Sequence, residues 1–404
     1  MKSIELFAGA GGLGMGVSLA GFEHLAVVEW NKWACDTIRE NQERGFPLVS
    51  DWALTQGDVR TFDLSMFPEG IDLIAGGPPC QPFSMGGKHR AYNDNRDMFP
   101  ATINIIKQLK PRAFIIENVK GLTRPTFANY YQYILLQLEF PEVSLRNGED
   151  WVDHYHRLQA EKSSGRLHAR GYLAYNVIPT LVNAANFGIP QKRERVFIVG
   201  FRDDQGIEWS FPAETHSLDR LLYDQFISGT YWDRHKIAKR KRATVSNIFE
   251  SRVAGLRRND MPTKQQPWQT VRDALQGLPD PEKLDDALHY NHRYQGGAKS
   301  YPGHTGSPLD LPAKTLKAGD HGVPGGENML VKENGAVRYF TVRESARIQT
   351  FPDGYVLHGT WSETMRQLGN AVPVRLAHVV ASSVAEKLLQ SEMTTFRKRL
   401  VGEN

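Results

Sequence analysis

The sequence predicts an α/β fold: a doubly wound sheet joined to a smaller, less regular region. Three observations predict it. Short apolar runs alternate with longer helical patterns through about the first 200 residues. From Phe211 to Leu330 that rhythm fades, while Pro, Gly, His and basic residues become frequent. Helical patterns return after Tyr339 and close the chain over residues 371–389.

Each element has its own justification. Residues 4–7, 25–29, 72–75, 113–117, 175–182 and 195–200 are short and apolar on both faces, as buried parallel strands are. Residues 14–20 and 33–44 fit helices between them. Residues 123–170 form a long insertion, partly helical, rich in aromatic and charged residues. The domain boundaries that follow are 1–210 with 362–404 for the sheet domain, and 211–361 for the second. Sheets of this kind bind ligands at the carboxyl ends of their strands, so function is sought there.

Composition narrows the classes. The 404 residues are 40% hydrophobic and 10% aromatic, enough for an ordinary core. Two cysteines, Cys35 and Cys80, exclude a disulfide framework. The chain starts without the apolar stretch of a signal peptide and has no run long enough to span a membrane, so a soluble cytoplasmic protein is expected. A monomer suffices, and no metal-ligand pattern stands out. The net charge of +4 identifies no partner, but its distribution is uneven. Lys236, Lys239, Arg240, Lys241, Arg242, Arg252, Arg257 and Arg258 face a single acid, Glu250, between positions 236 and 258. Taken alone, that run reads equally as a phosphate-contacting surface and as a solvated face.

Four sites carry chemistry, three of them opening at a strand end. Residues 7–14, Phe-Ala-Gly-Ala-Gly-Gly-Leu-Gly, follow the first strand and present bare backbone at a helix start. The next strand ends in Glu29-Trp30, an acid suited to a ribose diol beside an aromatic suited to a purine face. Asp58, in Gly57-Asp58-Val59, suits an adenine amino group, so the set describes an adenosine pocket. The second site, residues 76–84 after the fourth strand, places Cys80 in a turn stiffened by Pro78, Pro79 and Pro82. A helix start or a cation beside it would lower its pKa and favour thiolate. Cys35 has the spacing of a packed helix residue. The third is Glu117-Asn118-Val119, where a buried acid can retain a proton as general acid. The fourth is Gln191-Lys192-Arg193-Glu194-Arg195, whose alternate arginines suit phosphate, a carbonyl oxygen or Glu117.

These motifs in this order resemble the DNA cytosine-5 methyltransferases, over residues 3 to about 390. Arg343-Glu344-Ser345-Ala346-Arg347-Ile348-Gln349-Thr350-Phe351-Pro352 and Gln367-Leu368-Gly369-Asn370-Ala371-Val372-Pro373 extend the match. The resemblance implies a Rossmann-like S-adenosylmethionine-dependent methyltransferase sheet domain with a smaller, irregular target-recognition domain. It implies that Cys80 adds to carbon 6 of a flipped cytosine, and that Glu117 holds ring nitrogen 3. Arg195 would hold the carbonyl and orient Glu117, and Arg193 would bind nearby phosphate or sugar. Phe7, Ala10, Gly11, Gly12, Glu29, Trp30, Asp58, Val59, Pro78 and Asn370 are the implied cofactor residues. Gln367, Gly369 and Asn370 would complete the sheet domain and position the Pro-Cys-Gln loop. Gln81, Ser84, Thr315 and the basic run, here Lys236, Lys239, Arg240, Lys241, Arg242, Arg257 and Arg258, become expected contacts to double-stranded DNA. Residues 319–328 suit either a groove-entering loop or a connector. A cognate restriction endonuclease is the expected partner. Residues 123–170 exceed what compact members carry, and no function is assigned to them.

Three rivals are set against this reading. A non-catalytic DNA-binding relative is opposed by the intact Cys80, Glu117, Arg193 and Arg195. A transfer-RNA methyltransferase is disfavoured by the long basic region. A thiol hydrolase needs a general-base histidine, and only His89 is near Cys80 in sequence.

Overall fold

A computed structural model describes residues 1–80, 97–258, 264–283, 290–302, 304–318 and 328–401. The chain divides into two compact units. The first holds residues 1–182, 194–212 and 377–404, and the second holds 183–193 and 213–376.

The first unit is built on a seven-stranded sheet of order β3-β2-β1-β4-β5-β7-β6. Its strands are β1 (Lys2–Leu6), β2 (Glu23–Glu29), β3 (Leu54–Gln56), β4 (Leu73–Gly76), β5 (Ala113–Val119), β6 (Tyr175–Asn183) and β7 (Glu194–Arg202). The strands from β3 to β5 run parallel. β7 corrects the sequence reading, which took every run as parallel: it pairs antiparallel with β5. Apolarity on both faces marks a strand as buried, and an interior antiparallel strand is buried in the same way.

Helices α1 (Gly12–Leu19), α2 (Lys32–Glu43) and α3 (Phe99–Leu109) link the strands, and α4 (Ala128–Glu139) and α5 (Trp151–Ser163) follow β5. α2 starts where it does because Asn31 caps it, accepting from Ala34 N at 3.1 Å. On one face of the sheet Ile4, Leu6, Ile74, Ile116 and Ile198 share a core with Ile103, Ile106, Tyr133, Ile134 and Leu158. Residues 123–170 thus supply core, with Tyr133 and Leu158 fully buried. The C-terminal helix Val374–Val401 approaches α1 at Gly16, where a Cβ would lie 2.4 Å from Ala377 Cβ and 2.5 Å from His378 N. Glycine permits that crossing.

The second unit has little regular structure, as its composition predicts. It holds a three-stranded sheet (Ser307–Pro308, Met329–Val331, Val337–Tyr339) and a two-stranded ribbon (His216–Ser217, Gln266–Pro267). Small clusters replace a single core, one around Val271, Leu316, Phe340 and Ile348, another around Leu221, Tyr231, Trp232 and Trp268. The helix Trp361–Asn370 belongs to this unit, so the division falls at 376 rather than at 362. Gln349 Nε2 donates to the carbonyls of Leu368 and Ala371, which binds that helix to the segment before it.

Candidate active site

The turn after β1 takes its shape from three left-handed residues, Phe7 (φ 57°), Gly9 (55°) and Gly11 (85°). Gly9 and Gly11 adopt this without steric cost, whereas Phe7 does not. Gly11 N donates to Ala8 O at 2.9 Å, and Gly9 N to Glu29 Oε2 at 2.7 Å. Asn31 N reaches the other oxygen, Oε1, at 2.6 Å. The Glu29 carboxylate therefore ties the glycine turn to the end of β2. Beside it Trp30 is 66% exposed. Asp58 accepts from Arg60 N at 2.9 Å and from Arg60 Nε, and the guanidinium holds its carboxyl below the usual range. Val59 is buried next to it. The ends of β1, β2 and β3 thus bring together Phe7, Ala10, Gly11, Gly12, Glu29, Trp30, Asp58 and Val59 at one sheet edge. A bare-backbone turn, two carboxylates and an open aromatic face fit an adenosine whose far end carries a carboxylate.

Cys80 follows β4 in the same unit. Gly76 lies so close to β1 that a Cβ would meet Leu6 O at 2.7 Å. The stem of the turn is held twice: Asn118 Nδ2 donates to Pro78 O at 3.0 Å, and Met98 N donates to Pro79 O at 3.0 Å. Cys80 is 9% exposed. Its thiol corrects the expectation of a lowered pKa: burial pushes it well above the ordinary range, and the carboxylate of Asp97 pushes the same way. Asp97, itself buried, accepts from Phe99 N at 3.0 Å and from the hydroxyl of Tyr130.

Glu117 and Arg195 meet because of strand register. Val119 pairs with Arg195 and Glu117 with Phe197, so alternation puts Glu117 and Arg195 on one face. Arg195 Nε lies 2.8 Å from Glu117 Oε1, and Arg195 Nη1 donates to Glu194 O at 2.8 Å. Burial lowers the Arg195 pKa, and Glu117 opposes that shift. A Cβ on Gly77 would lie 3.3 Å from Glu117 Oε2, so the glycine lets the Cys80 turn pass close to the acid.

Arg193 is a second correction. It is fully buried and donates to the carbonyls of Leu316 (3.1 Å), Gly369 (2.8 Å) and Ala371 (2.9 Å), all within the second unit. A guanidinium spent on three carbonyls holds backbone segments together and does not reach a phosphate or sugar. Gln191 extends this network: its Oε1 accepts from Leu316 N at 2.9 Å, and its Nε2 donates to Gln349 Oε1 at 2.9 Å.

The comparisons with known proteins agree with this geometry. Residues 1–142 and 143–386 match the family described as C-5 cytosine-specific DNA methylase. The chain belongs to that family.

Among curated relatives, Type II methyltransferase M.NgoMIV of Neisseria gonorrhoeae is 28% identical over 390 residues, covering 96% of this chain and 97% of the relative. Type II methyltransferase M.Eco47II of Escherichia coli is 29% identical, covering 95% and 79%. Among solved structures, a putative DNA modification methyltransferase from an E. coli prophage superposes with a TM-score of 0.55 at 20% identity, covering 96% of this chain and 99% of that one. S. pombe Dnmt2 methyltransferase also gives 0.55, at 17% identity over 96% and 99%. The methylase uses S-adenosylmethionine, and the strand-end residues above fit that cofactor.

The remaining expected contacts divide. Lys236, Lys239, Arg240, Lys241, Arg257 and Arg258 are exposed. Arg242 is a correction: its guanidinium pairs with Asp233 and its Nε donates to Ile237 O, so it braces the loop instead of facing solvent phosphate. Arg252, in the same run, pairs with Asp219. The Thr315 hydroxyl donates to Lys192 O at 2.6 Å. Asn370 is exposed at the end of its helix in the second unit. Gln81, Ser84 and His89 lie outside the described residues, as does most of 319–328. Sequence reasoning missed Asp97 and Tyr130, which no motif marks. It named Asn118 only as part of Glu-Asn-Val, although an amide in that motif could have suggested a hydrogen-bond strut.

Proposed function

We propose that this methylase is the modifying enzyme of a restriction–modification system, and that it attacks a cytosine flipped out of duplex DNA through Cys80. The observation that carries the reading is the tied stem of the Cys80 turn passing beside the Glu117–Arg195 pair. Carbon 5 of cytosine is too weak a nucleophile to be alkylated directly. The Cys80 thiol passes its proton to solvent, Sγ of the thiolate bonds to carbon 6, and the electron pair of the ring double bond moves to carbon 5. Glu117 holds ring nitrogen 3, where negative charge develops, and Arg195 keeps the Glu117 carboxyl in place. S-adenosylmethionine, when bound at the Glu29, Trp30 and Asp58 edge, supplies the methyl group. A base, such as water, then takes the carbon-5 proton, the freed electron pair restores the ring double bond, and Cys80 leaves carbon 6 as thiolate. Attack needs access above the ring plane, so the base leaves the stack. Residues 1–182 and 194–212 with the C-terminal segment act as the catalytic domain, and most of the second unit reads the target. Exposed Lys239, Arg240 and Lys241 suit the DNA phosphates, and a cognate endonuclease is the partner. The relatives' designation as Type II methyltransferases supports the system.

Duplex DNA containing 5-fluorocytosine tests the nucleophile, because fluorine cannot leave as the proton does. The full chain with cofactor is expected to form a denaturation-resistant adduct, and Cys80→Ala to form none. Trapping that persists in Cys80→Ala would remove Cys80 from this role.

A further inference from the structure

A groove of about 930 Å³ lies in the first unit, between residues 59–67 and helix α3. Of the first-unit residues assigned to the cofactor, only Val59 lines it among the described residues, so it is a separate space that begins where the adenosine edge ends. Val59 and Asp97 both line it, Asp97 just before the start of α3. Leu109 also lines it, and its carbonyl accepts from Gly70 N at 2.7 Å.

The walls have a definite chemistry. Phe62 and Phe67, partly buried with ring centroids 5.7 Å apart, form one apolar side. Pro100 and Ala101 on α3 face the same space, so a flat aromatic group would meet rings and aliphatic surface. Asn104 and Gln108, one helical turn apart on α3, add amide donors and acceptors along the rim. The volume is that of a small-molecule site, and mixed apolar walls with a few polar groups are what such sites present. Among the described residues, neither Cys80, Glu117 nor Arg195 lines this space.

We propose that this groove is a ligand subsite for an aryl group carried on the amino nitrogen of an adenosine cofactor or inhibitor. The inference rests on the cofactor reading above, in which Asp58 accepts from that amino group and Val59 covers the purine. A singly substituted amine keeps one N–H for Asp58 and directs its substituent past Val59. Ala101 is the residue whose enlargement fills the groove, since it lies on α3 and is half-buried.

Calorimetry on the full chain with S-adenosylhomocysteine and its N6-benzyl derivative tests this. The benzyl ligand is expected to bind within about tenfold of the parent or tighter, a window of roughly 1.4 kcal/mol. Ala101→Trp should weaken the benzyl ligand by about tenfold or more and leave the parent within about twofold. Asn104→Trp, at an exposed position on the same helix, repeats the test if the first variant folds poorly. Binding of the parent without the benzyl ligand would overturn the groove assignment alone. Equal weakening of both ligands by both variants would do the same. Failure of the wild-type chain to bind either ligand would overturn the cofactor reading, and the groove assignment with it.

Discussion

Cys80 shows at the level of one residue how a site differs from the motif that marks it. Prolines on both sides are visible in the sequence, but the charge that adds to burial in raising the thiol pKa is Asp97, seventeen positions on and not part of any motif. Burial raises the Cys80 pKa first, and the Asp97 charge adds to it. Replacing Asp97 by Asn keeps an acceptor for Phe99 N and Tyr130 while removing the charge. The thiol pKa should fall, so the thiolate fraction near pH 9 should rise. Alkylation of Cys80 by iodoacetamide, followed by mass spectrometry, should quicken about threefold to tenfold in Asp97→Asn. Cys35 serves as an internal control, being fully buried with its pKa pushed up to about 12 by burial. An unchanged Cys80 rate would mean that burial alone governs the thiol. Arg193 teaches the complementary point. Its spacing with Arg195 suggests a shared role, yet one guanidinium pairs with Glu117 and the other is consumed by three carbonyls. Alternation says which residues share a parity; it does not say where the strand ends, and β7 begins only at Glu194.

Among elements, glycines report where backbone passes close to backbone. In the helix Trp361–Asn370, a Cβ on Gly369 would lie 2.2 Å from Ala318 N and 2.4 Å from Lys317 C. These are main-chain atoms, which cannot move aside as a flexible side chain can. Gly369→Ala should destabilise the protein by about 1–3 kcal/mol in urea denaturation. Gly255 offers the contrast: it lies in the helix Glu250–Arg258, with negative φ and nothing within 4 Å of an added Cβ. Gly255→Ala should stabilise by about 0.4–1 kcal/mol, by restricting the unfolded chain. A Gly369→Ala midpoint equal to wild type would show that the two segments can separate without cost. The motif around Arg343 also resolves into structure at this scale. Thr341 and Glu344 form a capping box, Glu344 is gripped by Arg338, and Arg343 donates to the carbonyls of Tyr290, Pro352 and Tyr355. A segment that looks like part of a site is a set of polar struts.

For the whole molecule, charge distribution carries the prediction. Lys239, Arg240 and Lys241 are exposed together, while Arg242 and Arg252 are neutralised by acids. Converting the three exposed cations to Gln should make the log–log salt dependence of duplex binding shallower by roughly 2–3, since each lost phosphate contact removes about 0.9 from the slope. An unaltered slope would return this run to a solvated face. Much of the molecule was legible in the amino-acid order alone. Short apolar runs closed by glycine, proline or acid located six of the seven strands and missed β3, whose residues 54–56 are largely exposed. The strand ends pointed to Glu29, Asp58, Cys80 and Glu117 as candidates, because such sheets bind ligands at the carboxyl ends of their strands. Tertiary structure decided what depends on partners distant in the chain. It set the reversed direction of β7, because apolarity does not encode strand polarity. It also set the raised Cys80 thiol and the structural use of Arg193, because burial and hydrogen-bond partners exist only once the chain has closed on itself.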